Sequence, residues 1–242
     1  MAETEFQGQL WVIEGADGAG KATQAKALVE RLNGSGLLAG QSAHFWSFPT
    51  YTDPVWGKLI REYLTGPHHK AGDVDPKYAS LLYAADRGKT ADKLKQSLGA
   101  GNWAICDRYA SSNMAHQGAK IKDIGKRNEF IDWLEDLEYQ FFQIPKPDGT
   151  FYLSLPVEIS AQRTEARLEQ ARATGEVTGH KIKERDIHEQ DIEYMGEVRK
   201  EYLRLAELKG WHVIECVQNG RELTRAEVAE KIWQTVLPSI GA

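Results

Sequence analysis

The chain has only two cysteines in 242 residues, Cys106 and Cys216, 110 positions apart and both inside apolar runs. That spacing offers neither a zinc-ligand set nor a disulfide framework. Buried free thiols in a reducing compartment are the expectation. Long apolar runs are missing as well: nowhere do about 18 uninterrupted apolar residues occur, a length a membrane-spanning helix needs. The opening MAETEFQGQL has no basic stretch leading into an apolar one. Neither a membrane span nor a secretory leader is therefore expected. A surplus of positive charge is also lacking, since 30 Lys+Arg stand against 35 Asp+Glu for a net charge of −5. A protein that wraps duplex nucleic acid usually carries a basic stripe, so nucleic-acid binding is not expected, and any phosphate must be held by a local site.

What is present is an ordinary globular composition, 41% hydrophobic and 27% charged. The length suits one α/β domain with a large core, read here as spanning residues 1–242. Four short apolar runs read as strands that feed helices: Leu10 to Ile13, Trp103 to Cys106, Phe151 to Leu155 and Trp211 to Cys216. A fifth, weaker run covers Ala43 to Phe48 and ends at Pro49. This alternation predicts an α/β fold with a central parallel five-stranded sheet flanked by helices. Helical spacing of apolar residues predicts helices after the first strand, between Pro76 and Leu98, over Glu129 to Phe142, over Ile159 to Ala173 and from Asp186 to Lys209. Thr174 to Lys183, with two glycines and few large apolar residues, reads as a mobile connection of the kind that forms a lid.

The most informative segment is Gly15-Ala16-Asp17-Gly18-Ala19-Gly20-Lys21, a G-x-x-x-x-G-K pattern between a buried strand and a helix. Glycines let the backbone N–H groups turn inward around an anion, the helix start adds partial positive charge, and Lys21 adds a full one. A nucleotide polyphosphate is the expected ligand, held by Gly15, Asp17, Gly18, Ala19, Gly20, Lys21, Ala22 and Thr23, and a plain glycine-rich turn is the alternative. The hydroxyl that usually follows the lysine and ligates magnesium is absent, because Ala22 occupies its place and Thr23 comes next. Either Thr23 takes over as the magnesium ligand, or magnesium rests on phosphates, water and an acidic residue. Asp107 is the candidate at the end of a strand, where open α/β sheets bind ligands, and its alternative role is a helix N-cap.

Set beside Phe48-Pro49-Thr50-Tyr51, Ala85-Asp86-Arg87, Asp107-Arg108-Tyr109 and the run through Ser112, Asn113 and Gln117, the chain resembles the thymidylate kinases. The likeness runs from about residue 8 to 237, through Lys146-Pro147-Asp148 and into Asp186 to Ala206. It implies a P-loop kinase fold with a mobile lid at about 163–186, and transfer of the γ-phosphoryl group of ATP to dTMP with Mg2+. It further implies that Arg108 grips the acceptor monophosphate and that Asp17 lies near acceptor sugar, phosphates and metal. A guanidinium suits bidentate phosphate contact, although Arg108 could also be a surface arginine paired with Asp107. By the same resemblance Arg87 hydrogen-bonds the thymine ring, Asn113 reads the pyrimidine edge, and Phe48, Tyr51, Ser112 and Gln117 complete the acceptor site. Tyr83, one helical turn before Arg87, would stack on the base or else sit in the core.

The chain departs from one common form of the family at His116 and His188, where tyrosine or phenylalanine often approaches the nucleotide. These departures motivate an alternative, a kinase for another deoxynucleoside monophosphate such as dUMP or a modified pyrimidine. Ala22 motivates a more distant one, a nucleotide-binding regulator without catalysis. Some members place an arginine within the phosphate loop, at the position of Gly18 here, so the lid must supply that charge. Arg172 and Arg185 are the catalytic candidates, and Arg163 and Arg167, which share a helical face, are expected at the ATP end. The resemblance also implies a cytoplasmic homodimer.

Overall fold

The computed structural model describes residues 6–65, 74–174 and 192–240, apart from the side chains at positions 171 and 172. Five parallel strands, β1 (Leu10–Gly15), β2 (Ala43–Ser47), β3 (Trp103–Asp107), β4 (Gly149–Ser154) and β5 (His212–Glu215), form one sheet in the order β2-β3-β1-β4-β5. Every residue of central β1 is buried. Its side chains alternate between two cores, as strand geometry dictates: Leu10 and Val12 on one face, Trp11 and Ile13 on the other. On the Trp11 face lie α1 (Lys21–Ser35) and α8 (Arg225–Val236). The Leu10 face is covered by α3 (Pro76–Gly99), α4 (Ala110–Gly118), α5 (Ile124–Glu135) and α7 (Ile192–Lys209).

From β1 the chain runs through α1 to the β2 edge, and from β3 it crosses to β4 on the opposite side of β1. The order reverses between β1 and β3, so a crevice opens at their C-terminal ends, the place where open parallel sheets bind ligands. The loop after β1 and the segment after β3 therefore meet at one point.

Three helices escaped the sequence reading, α8 among them. α2 (Trp56–Thr65) is short, and its N-terminus is held by Asp53, whose carboxylate accepts from Val55 N at 2.9 Å and Trp56 N at 2.8 Å. α4 is built from small and polar residues with no apolar stripe, which hides it from periodicity. The predicted helix over Glu129 to Phe142 instead begins at Ile124 and passes at Asp136–Phe141 into a π-helical turn. α6 (Val157–Thr174) takes in the helix expected over Ile159 to Ala173, so residues 163–174 of the segment read as the lid are helical. The rest of the lid, 175–186, and the first residues of the helix predicted from Asp186 lie outside the described residues. Two short strands, β6 (Val217–Gln218) and β7 (Arg221–Glu222), pair antiparallel before α8. Both cysteines are free and buried.

A third, small cluster joins Ile60, Tyr63 and Leu64 of α2 to Ala79 of α3. Lys120 caps it, donating to Tyr63 Oη at 3.0 Å, and burial pulls its pKa from 10.5 down to about 8 against an opposing pull from Asp75. Between pH 8 and about 10.5 the unfolded chain keeps this proton and the folded chain releases it, so stability contributed at Lys120 rises with pH across that window. Denaturant unfolding of wild type and Lys120→Met is expected to give a difference that is flat below pH 8 and shifts toward wild type between pH 8 and 10.5.

Candidate active site

A cavity of about 810 Å³ occupies the crevice and runs from the loop after β1 to α3 and α4 on one side and to α6 and α8 on the other. Helix α1 opens at Gly20, φ 94°, without a side-chain cap. Its first residues, Lys21, Ala22 and Thr23, line the cavity together with Asp17, Gly18, Ala19 and Gly20. An uncapped helix start leaves backbone N–H groups for an anion. Gly15 does not line the cavity; a Cβ there would meet Leu153 O at 2.9 Å, so this glycine lets β1 turn beside β4. Lys21 Nζ donates to Ala16 O at 2.9 Å and lies 3.6 Å from Asp17.

Gly18 is required twice over. Its φ is +80°, and a Cβ would stand 3.1 Å from both Ser160 O and the Arg163 Cβ of α6. A side chain at this position would be strained and crowded against α6. Instead Arg163 reaches in from α6, with Nη1 donating to Gly18 O at 3.0 Å and Nη2 pairing with Glu222 of β7. Ser160 Oγ donates to Asp17 O at 2.5 Å and ties the loop to the same helix. Arg167 also lines the donor side. The preferred catalytic arginines cannot be placed: the Arg172 side chain and all of Arg185 lie outside the described residues, as does His188.

Arg108 sits directly after β3 in the left-handed region, φ 66°, with its backbone N–H donating to Ile13 O at 3.1 Å. Its partner is Asp17 across the crevice, Nη2 to Oδ1 at 3.0 Å, rather than Asp107. Nη1 donates to Ser112 Oγ at 3.1 Å, and that hydroxyl donates on to Glu14 Oε2 at 2.6 Å. Glu14, missed in the sequence, is fully buried and also accepts from Tyr109 N (3.0 Å), Ser111 Oγ (2.7 Å) and Tyr202 Oη of α7 (2.9 Å). A charged residue closing the apolar run of β1 was the available signal. Burial opposes the charge on Arg108, but Asp17, Tyr202 and Glu14 together raise its pKa well above the ordinary value.

Asp107 does not cap a helix, since the N-cap of α4 is Tyr109. Its Oδ1 is buried with no hydrogen-bond partner among the described residues, and Asp107 lines the cavity. Burial raises its pKa, partly offset by Lys21 and Arg108. An orphaned carboxylate oxygen beside a phosphate loop fits a magnesium ligand or a magnesium-bound water. Among the described residues no three His, Cys, Asp or Glu side chains converge, so such an ion would draw its other ligands from phosphate and water. Exposed Thr23 is the nearest hydroxyl on the helix start, and Ala22 offers no donor atom.

At the acceptor end the cavity is lined by Phe48, Tyr51, Tyr83, Arg87, Ser112, Asn113, His116 and Gln117, all expected from the sequence. Tyr83 meets Tyr63 edge-on at 6.2 Å while facing the cavity, so the core and stacking readings both hold a share. Phe48 precedes a cis Phe48-Pro49 bond and packs edge-on against Tyr109 at 5.7 Å. Asn113 donates to Ser80 O at 3.1 Å, which leaves its Oδ1 without a partner among the described residues. His116 packs edge-on against Tyr202 at 5.9 Å. The donor end holds residues the sequence reading did not find: Gln24, Gln170, Cys216, Leu223, Arg225 and Val228. They come from α1, α6, the segment around β6 and β7, and α8, too far apart in sequence for spacing to reveal. Burial raises the Cys216 pKa to about 11, which suits a packing thiol.

Comparison with known proteins gives the same reading. A thymidylate kinase family model matches residues 13–228. A probable thymidylate kinase of Thermococcus kodakarensis is 38% identical over 204 residues, 81% of this chain and 83% of that one. One from Thermococcus gammatolerans is 33% identical over 237 residues, 95% and 98% of the two chains. The solved structure of thymidylate kinase from Candida albicans superposes with a TM-score of 0.71 at 25% identity, covering 98% of this chain and 94% of that one. With the phosphate loop, the Asp-Arg-Tyr segment and the acceptor pocket on one crevice, the chain belongs to the thymidylate kinase family.

Proposed function

We propose that this chain transfers the γ-phosphoryl group of ATP to dTMP, giving ADP and dTDP. The observation that carries the reading is the single cavity in which the phosphate loop faces Arg108 and continues to the Arg87 and Asn113 end. A phosphate oxygen of dTMP attacks the γ-phosphorus as the bond to the β–γ bridging oxygen breaks. That oxygen is already ionised at neutral pH, so no general base is required, and the protein's work is positioning and neutralising charge.

Lys21 and the N–H groups at the start of α1 hold the β- and γ-phosphates. Arg108, fixed between Asp17 and Ser112, uses its remaining donors on the acceptor phosphate and on charge in flight. Arg163, anchored on Gly18 O, borders the donor, and Arg172 or Arg185 brings the lid charge. Asp107, with Thr23, would hold Mg2+, which would neutralise charge on the phosphate oxygens. Arg87, Asn113 and Gln117 read the base, and Tyr83 stacks on it. The chain is read as one domain over 1–242 acting as a cytoplasmic homodimer, on the strength of the family. No described helix is long and apolar enough to cross a membrane.

A coupled ADP-release assay with dTMP, dUMP, dCMP and dGMP is expected to show clear preference for dTMP. Absence of dTMP turnover by the wild type overturns the reading. Lys21→Ala and Arg108→Ala are each expected to lower kcat by roughly 100-fold or more, as loss of a transition-state charge partner does. Asp107→Asn is expected to raise the magnesium concentration needed for half-maximal rate. Unchanged magnesium dependence removes Asp107 from that role.

A further inference from the structure

Arg87 is 3% exposed, and two of its donors are committed to Glu138, Nε to Oε2 at 3.0 Å and Nη2 to Oε1. Glu138 is fully buried and has no other role in the site. It lies on the π-helical turn Asp136–Phe141, which departs from the regular winding of α5. Such turns are uncommon inside helices and often sit at functional sites. The next residue of α3 explains how the turn comes so close: a Cβ on Gly88 would collide with the ring of Phe142, so only glycine admits Phe142 there. Glycine at 88 and the π turn thus bring to the guanidinium a carboxylate that does not itself line the cavity.

A guanidinium is planar and carries five donors in a fixed fork. Clamping Nε and Nη2 fixes the plane and directs the opposite edge. Nη1 bonds to no protein group among the described residues, while Arg87 lines the acceptor end of the cavity. A fixed donor edge favours a ring carbonyl and opposes a ring amino group, because two N–H groups cannot pair with each other. The geometry points to Glu138 as a positioning residue that makes Arg87 selective for an oxo-pyrimidine over an amino-pyrimidine. This inference rests on the proposed function, since it assumes that a pyrimidine monophosphate enters beside Arg87.

Calorimetric titration of dTMP, dCMP and a non-hydrolysable ATP analogue tests it in wild type, Glu138→Gln and Glu138→Asp. Glutamine replaces one acceptor oxygen with an NH2 that repels the guanidinium. Aspartate keeps the charge but shortens the reach by one methylene, and serves where the glutamine variant does not fold. Each variant is expected to weaken dTMP roughly tenfold or more, the scale of one charge-assisted hydrogen bond, with dCMP and the ATP analogue little changed. The dTMP over dCMP preference then narrows by the same factor. A folded variant that keeps the wild-type ratio overturns the inference, and so does equal weakening of all three ligands, which marks a purely structural role. Failure of the proposed function reads differently, as a wild type that does not phosphorylate dTMP.

Discussion

One buried carboxylate joins the parts of this crevice. Glu14, at the end of the central strand, accepts from the backbone of Tyr109, from Ser111 and Ser112 at the start of α4, and from Tyr202 of α7. Taking such a group out of water costs several kcal/mol unless donors replace the lost hydration, and here each oxygen has two. The satisfied network ties the end of β1 to the Asp107–Arg108–Tyr109 segment and to the start of α4. Arg108 hangs from it through Ser112 and tolerates a left-handed backbone because its surroundings over-determine it.

The same economy appears at both ends of the cavity. Three arginines that line the cavity are each held by an acceptor: Arg108 by Asp17 and Ser112, Arg87 by Glu138, Arg163 by Glu222 and the Gly18 carbonyl. A long flexible side chain left to itself loses rotamer entropy when it grips a phosphate; one already fixed has lost it during folding. A chain of net charge −5 therefore concentrates positive potential in one crevice by pairing each arginine with acceptors that also aim it.

Much of this was legible in the residues. The five strands, the phosphate loop and the segments around Arg87 and Arg108 were readable because each is local: an apolar run, a glycine spacing, a short motif. α4 was not, since its residues are small and polar and it is held by Glu14, a residue 97 positions before Ser111. Glu138 gave no signal either, being one acid among several in a helical stretch, and its meaning depends on a π turn and on Phe142 filling the space beside Gly88.

The sequence by itself determined the sheet, the glycine-rich loop and many of the residues that line the crevice. These follow from periodicity and from backbone freedom at glycine, which are properties of neighbouring residues. Only the tertiary structure decided which acceptor holds which cation, that Arg163 reaches the Gly18 carbonyl from α6, and that Asp107 keeps an oxygen without a partner among the described residues. Those outcomes depend on side chains brought together from distant elements at the crevice where the strand order reverses, and no local pattern encodes that meeting.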